Sequence, residues 1–350
     1  MPQEVARISK RLGILTGGGD CPGLNAAIRA VTRRSLDLDT QIIGIAHGWQ
    51  GLIDGTTGEL VRAQASGILS RGGTILGASG TNPYKHEGGV DKVIANFGEL
   101  DLDALVAIGG EGTLGIATRL HRERGLPVVG LPKTIDNDVG ATDYTVGFDT
   151  AVAICSEAID RLHTTAESQD RVMVAEVMGR RTGWIAVHSG IAGGADLILI
   201  PEQPRALHEV FSVLEDRHRG GRDFSIVVVA EGCALEGLEG RAELDRYGHE
   251  RLGQRHVGAR LARAIEAQTG FESRVTVLGH VQRGGSPTAR DRVLATRLGL
   301  KAADLAHEGR FGRMAALRGD EIVDVSLVEA TAELKTVPPD WYAVAEAFFR

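Results

Sequence analysis

The chain has 350 residues, 43% of them hydrophobic and 24% charged, which is enough apolar material for two cores. A net charge of −7, with acids and bases interspersed, excludes the basic surface that grips nucleic acid. Cys21, Cys155 and Cys233 are scattered without metal-ligand spacing, so neither a disulfide framework nor a cysteine metal site is expected, and a reducing, cytoplasmic setting is. MPQEVARISKR at the N-terminus is too polar for a signal peptide, and no apolar run is long enough to span a bilayer, so no membrane association is expected.

In chain order, the apolar run LGILT predicts a strand, and TGGGDCPGLNAAIRAV from Thr16 predicts a glycine loop and then a helix over 24–36. Such a loop either aims backbone N–H groups at an anion or is a plain tight turn. QIIGIAHG predicts the next strand, and ALVAIGGEGT another, followed by a helix over 113–124 that ends in the solvated RERG. Glu111 within GGEGT reads in two ways. It either shares a divalent cation with a bound phosphate, or it is an acid favourably placed at a helix start. PVVG then leads into LPKTIDND, where Asp136 and Asp138 are two residues apart. One reading is a general base beside an acid that acts on metal or water; the other is an Asx-turn around Asn137. The helix over 150–164 carries Ala151, Ile154, Ala158, Ile159 and Leu162 as a core stripe.

RVMVAEVMGR, DLILIPEQ, SIVVVAEG and VTVLGHVQRGG predict four further strands, with a helix over 257–268 before the last. Unbroken Val/Ile/Leu runs predict parallel strands buried on both faces, and their alternation with helices predicts an α/β fold of doubly wound parallel sheets. Ligands in such folds lie at the carboxyl ends of strands. Arg171, Arg180, Arg274 and Arg283 flank these runs, with His280 near the last, either as a phosphate pocket or as surface ion pairs. Glu231 either accepts hydrogen bonds from sugar hydroxyls or pairs with one of those arginines.

Taken together, GGGDCPGLNAAIR, GGEGT, PKTIDND followed by GATDYTVGFDTA, EVMGR and TVLGHVQRGGSPTARDR resemble the phosphofructokinase family, in order and spacing over nearly the whole chain. The resemblance implies two lobes with the active site in the cleft between them. The larger, donor-binding lobe would span residues 1–147 and 282–332, and the smaller, sugar-phosphate-binding lobe 148–281 and 333–350. It implies Mg2+-dependent phosphoryl transfer to the 1-hydroxyl of fructose 6-phosphate. By matched motif, Asp136 resembles the catalytic base and Thr134 a substrate contact, while Asp138 would support the metal and the transferring phosphate. Met178, Gly179, Arg180, Glu231, His280 and Arg283 resemble the sugar-phosphate pocket, with Arg180 also among the catalytic side chains. Arg171 and Arg274 resemble arginines that reach a neighbouring subunit's site, which implies a homo-oligomer, usually a tetramer. Gly19, Gly80, Thr81, Lys85, Gly110, Glu111, Gly112 and Thr113 fall at the donor site, with Glu111 on the metal and Trp49 near the adenine. Arg29, Arg33 and Arg62 match effector-site arginines for a nucleoside diphosphate or phosphoenolpyruvate. His163 stands where another arginine is common, and Arg29 with Arg33 also reads as a solvated i, i+4 pair.

The donor turns on Gly112 and Lys133. ATP users of the family generally have glycine at both positions, whereas pyrophosphate users resemble one another in an aspartate at the first and a lysine at the second. This chain is mixed. An acidic side chain at 112 would intrude on and repel an α-phosphate, while a lysine at 133 attracts phosphate and excludes nothing, so the expectation is ATP. The GGEGT and PKTIDND combination also resembles ATP-dependent members from actinobacteria. One departure stands out: Gly80 occupies a position where the family usually has an arginine touching the transferring phosphoryl group, with Lys85 or Lys133 as candidate substitutes. Three rival readings remain. A pyrophosphate-dependent enzyme is one. NAD and lipid kinases are another, sharing the glycine-acid-glycine loop but lacking EVMGR and GHVQRGG. The third is a poorly catalytic, sugar-phosphate-binding regulatory subunit.

Overall fold

The computed structural model describes residues 10–235 and 255–349, so most of the N-terminal stretch read above as too polar for a signal peptide lies outside the described residues. In chain order, the first half comprises β1 (Arg11–Thr16), α1 (Leu24–Asp37), β2 (Gln41–Ile45), α2 (Trp49–Asp54), β3 (Thr57–Glu59), α3 (Gly89–Glu99), β4 (Ala104–Gly109), α4 (Glu111–Arg124), β5 (Val128–Pro132) and α5 (Phe148–Gln169). There follow β6 (Val172–Val177), α6 (Trp184–Ala192), β7 (Leu197–Leu199), α7 (Leu207–Arg219), β8 (Ser225–Ala230), α8 (Val257–Thr269), β9 (Ser273–Val277), α9 (Ala289–His307), β10 (Arg313–Arg318), β11 (Glu321–Ser326), α10 (Leu327–Ala332) and α11 (Pro339–Glu346).

The chain divides into two compact units. The first is Met1–Thr134, Val139–Gly147 and Gly285–Leu334; the second is Ile135–Asp138, Phe148–Gly284 and Lys335–Arg350. Ile135–Asp138, which the sequence reading left in the first lobe, falls in the second unit. Unit 1 holds a seven-stranded sheet in the order β11-β10-β5-β4-β1-β2-β3. Its interior strands are parallel, but β3 and β11 pair antiparallel at the edges, so the sheet is mixed rather than purely parallel. β4 and β5 are buried at every residue, as their unbroken apolar runs require. Thr16 pairs with Ile108 and Gly109 with Pro132, which brings the carboxyl ends of β1, β4 and β5 to one level.

Unit 2 holds a four-stranded parallel sheet in the order β7-β8-β6-β9. β9 departs from the expected burial: as an edge strand it leaves Val275 36% and Val277 49% exposed. The core stripe of α5 is also rotated from its expected position, since Phe148, Ala151, Cys155, Ile159 and Ala166 are buried while Ile154, Ala158 and Leu162 are only partly so. The three cysteines are free and buried. Among the described residues no helix is long and apolar enough to cross a membrane.

Candidate active site

In unit 1, three strand ends converge. After β1, Gly17 N–H donates to the Ile108 carbonyl at 2.9 Å and Gly18 N–H to the Ser79 carbonyl at 2.8 Å. The amides of the first two glycines in TGGGD are therefore used inside the protein. A Cβ at Gly17 would lie 2.5 Å from Thr113 Oγ1, so only glycine lets the loop pack against the first turn of α4. That helix starts at Glu111 with Gly110 as its N-cap and no side-chain cap. Its first N–H groups have no partners within the helix and are a ready anion site. Glu111 and Gly112 are exposed, and a Cβ added at Gly112 would meet nothing within 4 Å. Protein packing does not demand glycine there. The space faced by residue 112 is open.

Lys133, just after β5, is only 2% exposed. Its Nζ donates to the Gly17 carbonyl at 2.9 Å and the Gly19 carbonyl at 2.5 Å, and its N–H to the Gly109 carbonyl at 2.9 Å. The ammonium thus joins the β1 loop to the β5 end. Thr134 follows, its N–H on the Val146 carbonyl and its own carbonyl accepting from Thr145 Oγ1 at 2.6 Å.

Other donor-site expectations fare unevenly. Trp49 is 1% exposed and sits in the core with Leu15, Ile45 and Leu52, so it is not available to stack on an adenine. Its aromatic bulk at the start of α2 serves packing, and this corrects the expectation. Thr81 is buried and its hydroxyl donates to Gln50 Oε1 at 3.0 Å; Gly80 is half-buried and Lys85 exposed. Of the effector-site arginines, Arg62 pairs with Asp37, while Arg29 and Arg33 lie half-buried on α1, with Arg33 Nε buried and lacking a hydrogen-bond partner among the described residues. His163 contacts the Gly193 carbonyl at 2.6 Å.

In unit 2, β6 pairs with β8 and with β9, with Val177 opposite Ala230 and Glu176 opposite Val277. The loops after these strands carry Met178–Arg180, Glu231 and His280–Arg283. Asp136 is 4% and Glu231 7% exposed, and Arg180 N–H donates to Glu231 Oε1 at 3.2 Å. Burial pushes the Glu231 carboxyl up to about 7, the Asp136 carboxylate adds to the rise, and the Arg283 guanidinium opposes it. Arg180 and His280 are exposed, and neither side chain makes a hydrogen bond or ion pair among the described residues. Arg171 pairs with Glu272 at 2.8 Å, and Arg274 reaches the same carboxylate. Asp138 is 7% exposed, and its carbonyl accepts Lys335 N–H at 3.0 Å.

Several supporting residues carry no signal in sequence. Gln282, 0% exposed, accepts Met178 N–H at 3.1 Å and donates Nε2 to the Gly279 carbonyl at 3.0 Å, which holds two of the loops together. Glu202 Oε1 accepts the N–H groups of Gly183 and Val337, both at 3.0 Å. Buried Glu176 accepts Gly258 N–H at 2.8 Å at the start of α8.

A stability prediction follows from Glu231. The folded carboxyl keeps its proton to about pH 7, whereas an unfolded glutamate releases it near 4.5. The native state therefore binds more protons between those values, and stability falls as pH rises across that window. The loss is on the order of 3 kcal/mol, and Glu231→Gln removes it. Urea unfolding at pH 5 and pH 8 checks this: the variant shows a flatter pH dependence and gains on the parent at the higher pH. Parallel curves for the two proteins would contradict it.

Two α/β units, each presenting glycine turns and charged side chains at the carboxyl ends of parallel strands, define an α/β protein whose strand-end loops suit an anionic ligand. A phosphofructokinase family model matches residues 11–306, and the chain belongs to that family. A pyrophosphate–fructose 6-phosphate 1-phosphotransferase of Amycolatopsis mediterranei is 57% identical over 344 residues, 97% of this chain and 99% of the relative. ATP-dependent 6-phosphofructokinase 3 of Streptomyces coelicolor is 50% identical over 342 residues, 96% of this chain and 99% of the relative. Among solved structures, Pichia pastoris phosphofructokinase in the T-state superposes with a TM-score of 0.82 at 30% identity, covering 98% of this chain and 39% of that one. The chain is therefore a phosphotransferase of the 6-phosphofructokinase type, and its relatives bear the names of both donors, those at 55–57% identity that of pyrophosphate and those named for ATP standing at 48–51%.

Proposed function

We propose that the protein is an ATP-dependent 6-phosphofructokinase, transferring the γ-phosphoryl group of MgATP to the 1-hydroxyl of fructose 6-phosphate to give fructose 1,6-bisphosphate and ADP. The observation that carries the donor assignment is the open space at Gly112 beside the uncapped start of α4. That space is room for an α-phosphate, which an acidic side chain would fill and repel. Lys133 does not exclude this reading, because its ammonium donates to the carbonyls of Gly17 and Gly19.

Unit 1 binds the donor and unit 2 the acceptor. The N–H groups opening α4 hold donor phosphate oxygens, with Thr113 and Thr134 flanking them. Arg180, His280 and Arg283 hold the sugar phosphate, Glu231 accepts from a sugar hydroxyl, and Met178 and Gly179 shape the pocket wall. Asp136 takes the proton of the 1-hydroxyl as that oxygen attacks the γ-phosphorus, and the bond to the ADP oxygen breaks. Among the described residues no three metal-ligating side chains gather into a cage. Mg2+ keeps water and phosphate oxygens and needs only one or two carboxylates, so exposed Glu111 fits an ion carried in by the donor. Bound there, the ion neutralises charge on the phosphates. Turnover that EDTA abolishes and added Mg2+ restores, with fructose 6-phosphate as acceptor, is the expected result. A rate indifferent to the ion would remove Glu111 from this role.

A homo-oligomer, as a tetramer, fits the edge of unit 2: Val275, Val277 and Val281 are exposed beside the Arg171, Glu272 and Arg274 cluster. Arg171 and Arg274 are the candidates to serve a neighbouring subunit's site. The buried free thiols accord with a cytoplasmic setting. Effector binding at Arg29, Arg33 and Arg62 is part of the same proposal, with Arg62 first having to leave Asp37.

Pyrophosphate as donor is the second reading, favoured by the presence of Lys133 and by the name of the Amycolatopsis relative. Gly80 bears on both readings. Gly80→Arg returns a cation to the transferring phosphoryl group and raises kcat about tenfold or more, because such cations contribute strongly to phosphoryl transfer. Steady-state assays of the variant and parent decide it, and an unchanged kcat would show that another cation already fills the role.

A further inference from the structure

The acid segment and the sugar-phosphate loop of unit 2 are both held in backbone conformations that resist them. Asn137, between the two aspartates, has φ 53° and is 1% exposed; Arg180 has φ 53°, following Gly179 at φ 144°. A non-glycine residue in the left-handed region is uncommon, less so for asparagine than for arginine, and at Arg180 it persists only where neighbours impose it. One side chain touches both segments. Thr182 is 0% exposed, and its hydroxyl lies 3.2 Å from the Asp136 carbonyl and 3.1 Å from the Gly179 carbonyl, donating to the two in a shared bond. Its N–H closes the turn onto the same Gly179 carbonyl at 3.0 Å.

The other end of the acid segment is fixed through the main chain. Lys335 N–H donates to the Asp138 carbonyl at 3.0 Å, and the Lys335 carbonyl accepts from Trp184 Nε1 at 2.9 Å. The segment is therefore gripped at the carbonyls of both aspartates, and at Asp136 the grip is a side-chain hydroxyl.

We propose that Thr182 is a positioning residue for phosphoryl transfer: its buried hydroxyl locks the backbone of Asp136 to the turn that carries Arg180, so that base and sugar-phosphate arginine hold one geometry. The proposal rests on the assignment of Asp136 as base and Arg180 as sugar-phosphate ligand. Thr182 touches no substrate. It acts through the backbones of two residues that do.

The test uses the full chain, fructose 6-phosphate and Mg2+, with whichever of ATP and pyrophosphate supports turnover. Thr182→Val keeps the shape and removes the hydroxyl; Thr182→Ala removes it without crowding the two carbonyls and serves if the valine variant does not fold; Thr182→Ser restores it. A misplacement of about 1 Å can cost about 100-fold in rate, so the valine and alanine variants lose about 10- to 100-fold in kcat and bind fructose 6-phosphate more weakly by calorimetry. The serine variant recovers both. A purely structural hydroxyl would lower Tm and leave kcat and KM at parental values, and that result overturns the proposal. Asp136→Asn is assayed alongside. If it is inactive while the valine and alanine variants are normal, the proposal alone fails; if it retains full activity, the base assignment fails and takes the proposal with it.

Discussion

Asp136→Asn lowers kcat by about 10²- to 10⁴-fold while fructose 6-phosphate still binds, since general base catalysis is worth that much and the amide cannot accept the proton. The substitution preserves shape at a site only 4% exposed. Two of the contacts that fix the segment run to the backbone carbonyls of Asp136 and Asp138, and these survive the change. A second effect travels with it. The Asp136 charge is the next cause after burial for the raised Glu231 carboxyl, so removing it lowers that group from about 7. Glu231 then ionises at lower pH, and the pH dependence of fructose 6-phosphate binding moves in the acid direction. Steady-state kinetics across pH 5.5–8.5 with parallel calorimetry reads both effects. A kcat within a few-fold of the parent, below the smallest expected contribution of a general base, would show that another group takes the proton.

Gly112→Asp weakens use of ATP, with kcat/KM for the nucleotide falling by roughly 10²-fold or more, as juxtaposed like charges cost several kcal/mol. The variant folds, because a Cβ at 112 meets no protein atom within 4 Å and the second residue of α4 is a favourable place for an acid. The loss therefore falls on the ligand rather than the protein. Competition between ATP and pyrophosphate for the parent and the variant measures it. If the parent turns over pyrophosphate and the variant keeps that activity while losing ATP, the side chain at 112 is the gate. Unaltered ATP kinetics in the variant would place the α-phosphate elsewhere.

Much of the framework was legible because its strands are unbroken apolar runs. VVG, LVAI and IVVV are too short and too uniformly apolar for surface helices, and the glycines and acids that end them mark the loops that the strand register brings level. What escaped was set by contacts far apart in the chain. The antiparallel edge made by β10 and β11 follows an alternating run, EIVDVS, after the Gly319 turn at φ 59°, a hairpin signal that the parallel pattern overshadowed. Exposed valines on β9 could not be told from buried ones, since edge position is a property of the sheet. Trp49 matched a position near the adenine but is consumed by the core. Lys133 was readable as a phosphate-seeking charge, whereas its bonds to Gly17 and Gly19 come from a loop more than a hundred residues earlier. Thr182, Gln282 and Glu202 act on backbone amides and carbonyls of distant segments, and nothing in their local spacing announces it.

The most direct test of the central claim is turnover of fructose 6-phosphate with Mg2+, comparing ATP with pyrophosphate at matched concentrations on the purified full-length protein. Formation of fructose 1,6-bisphosphate with ATP, and little or none with pyrophosphate, is the predicted result, and it would make Gly112 the residue that decides the donor. Turnover with pyrophosphate alone would contradict the account and give that role to Lys133.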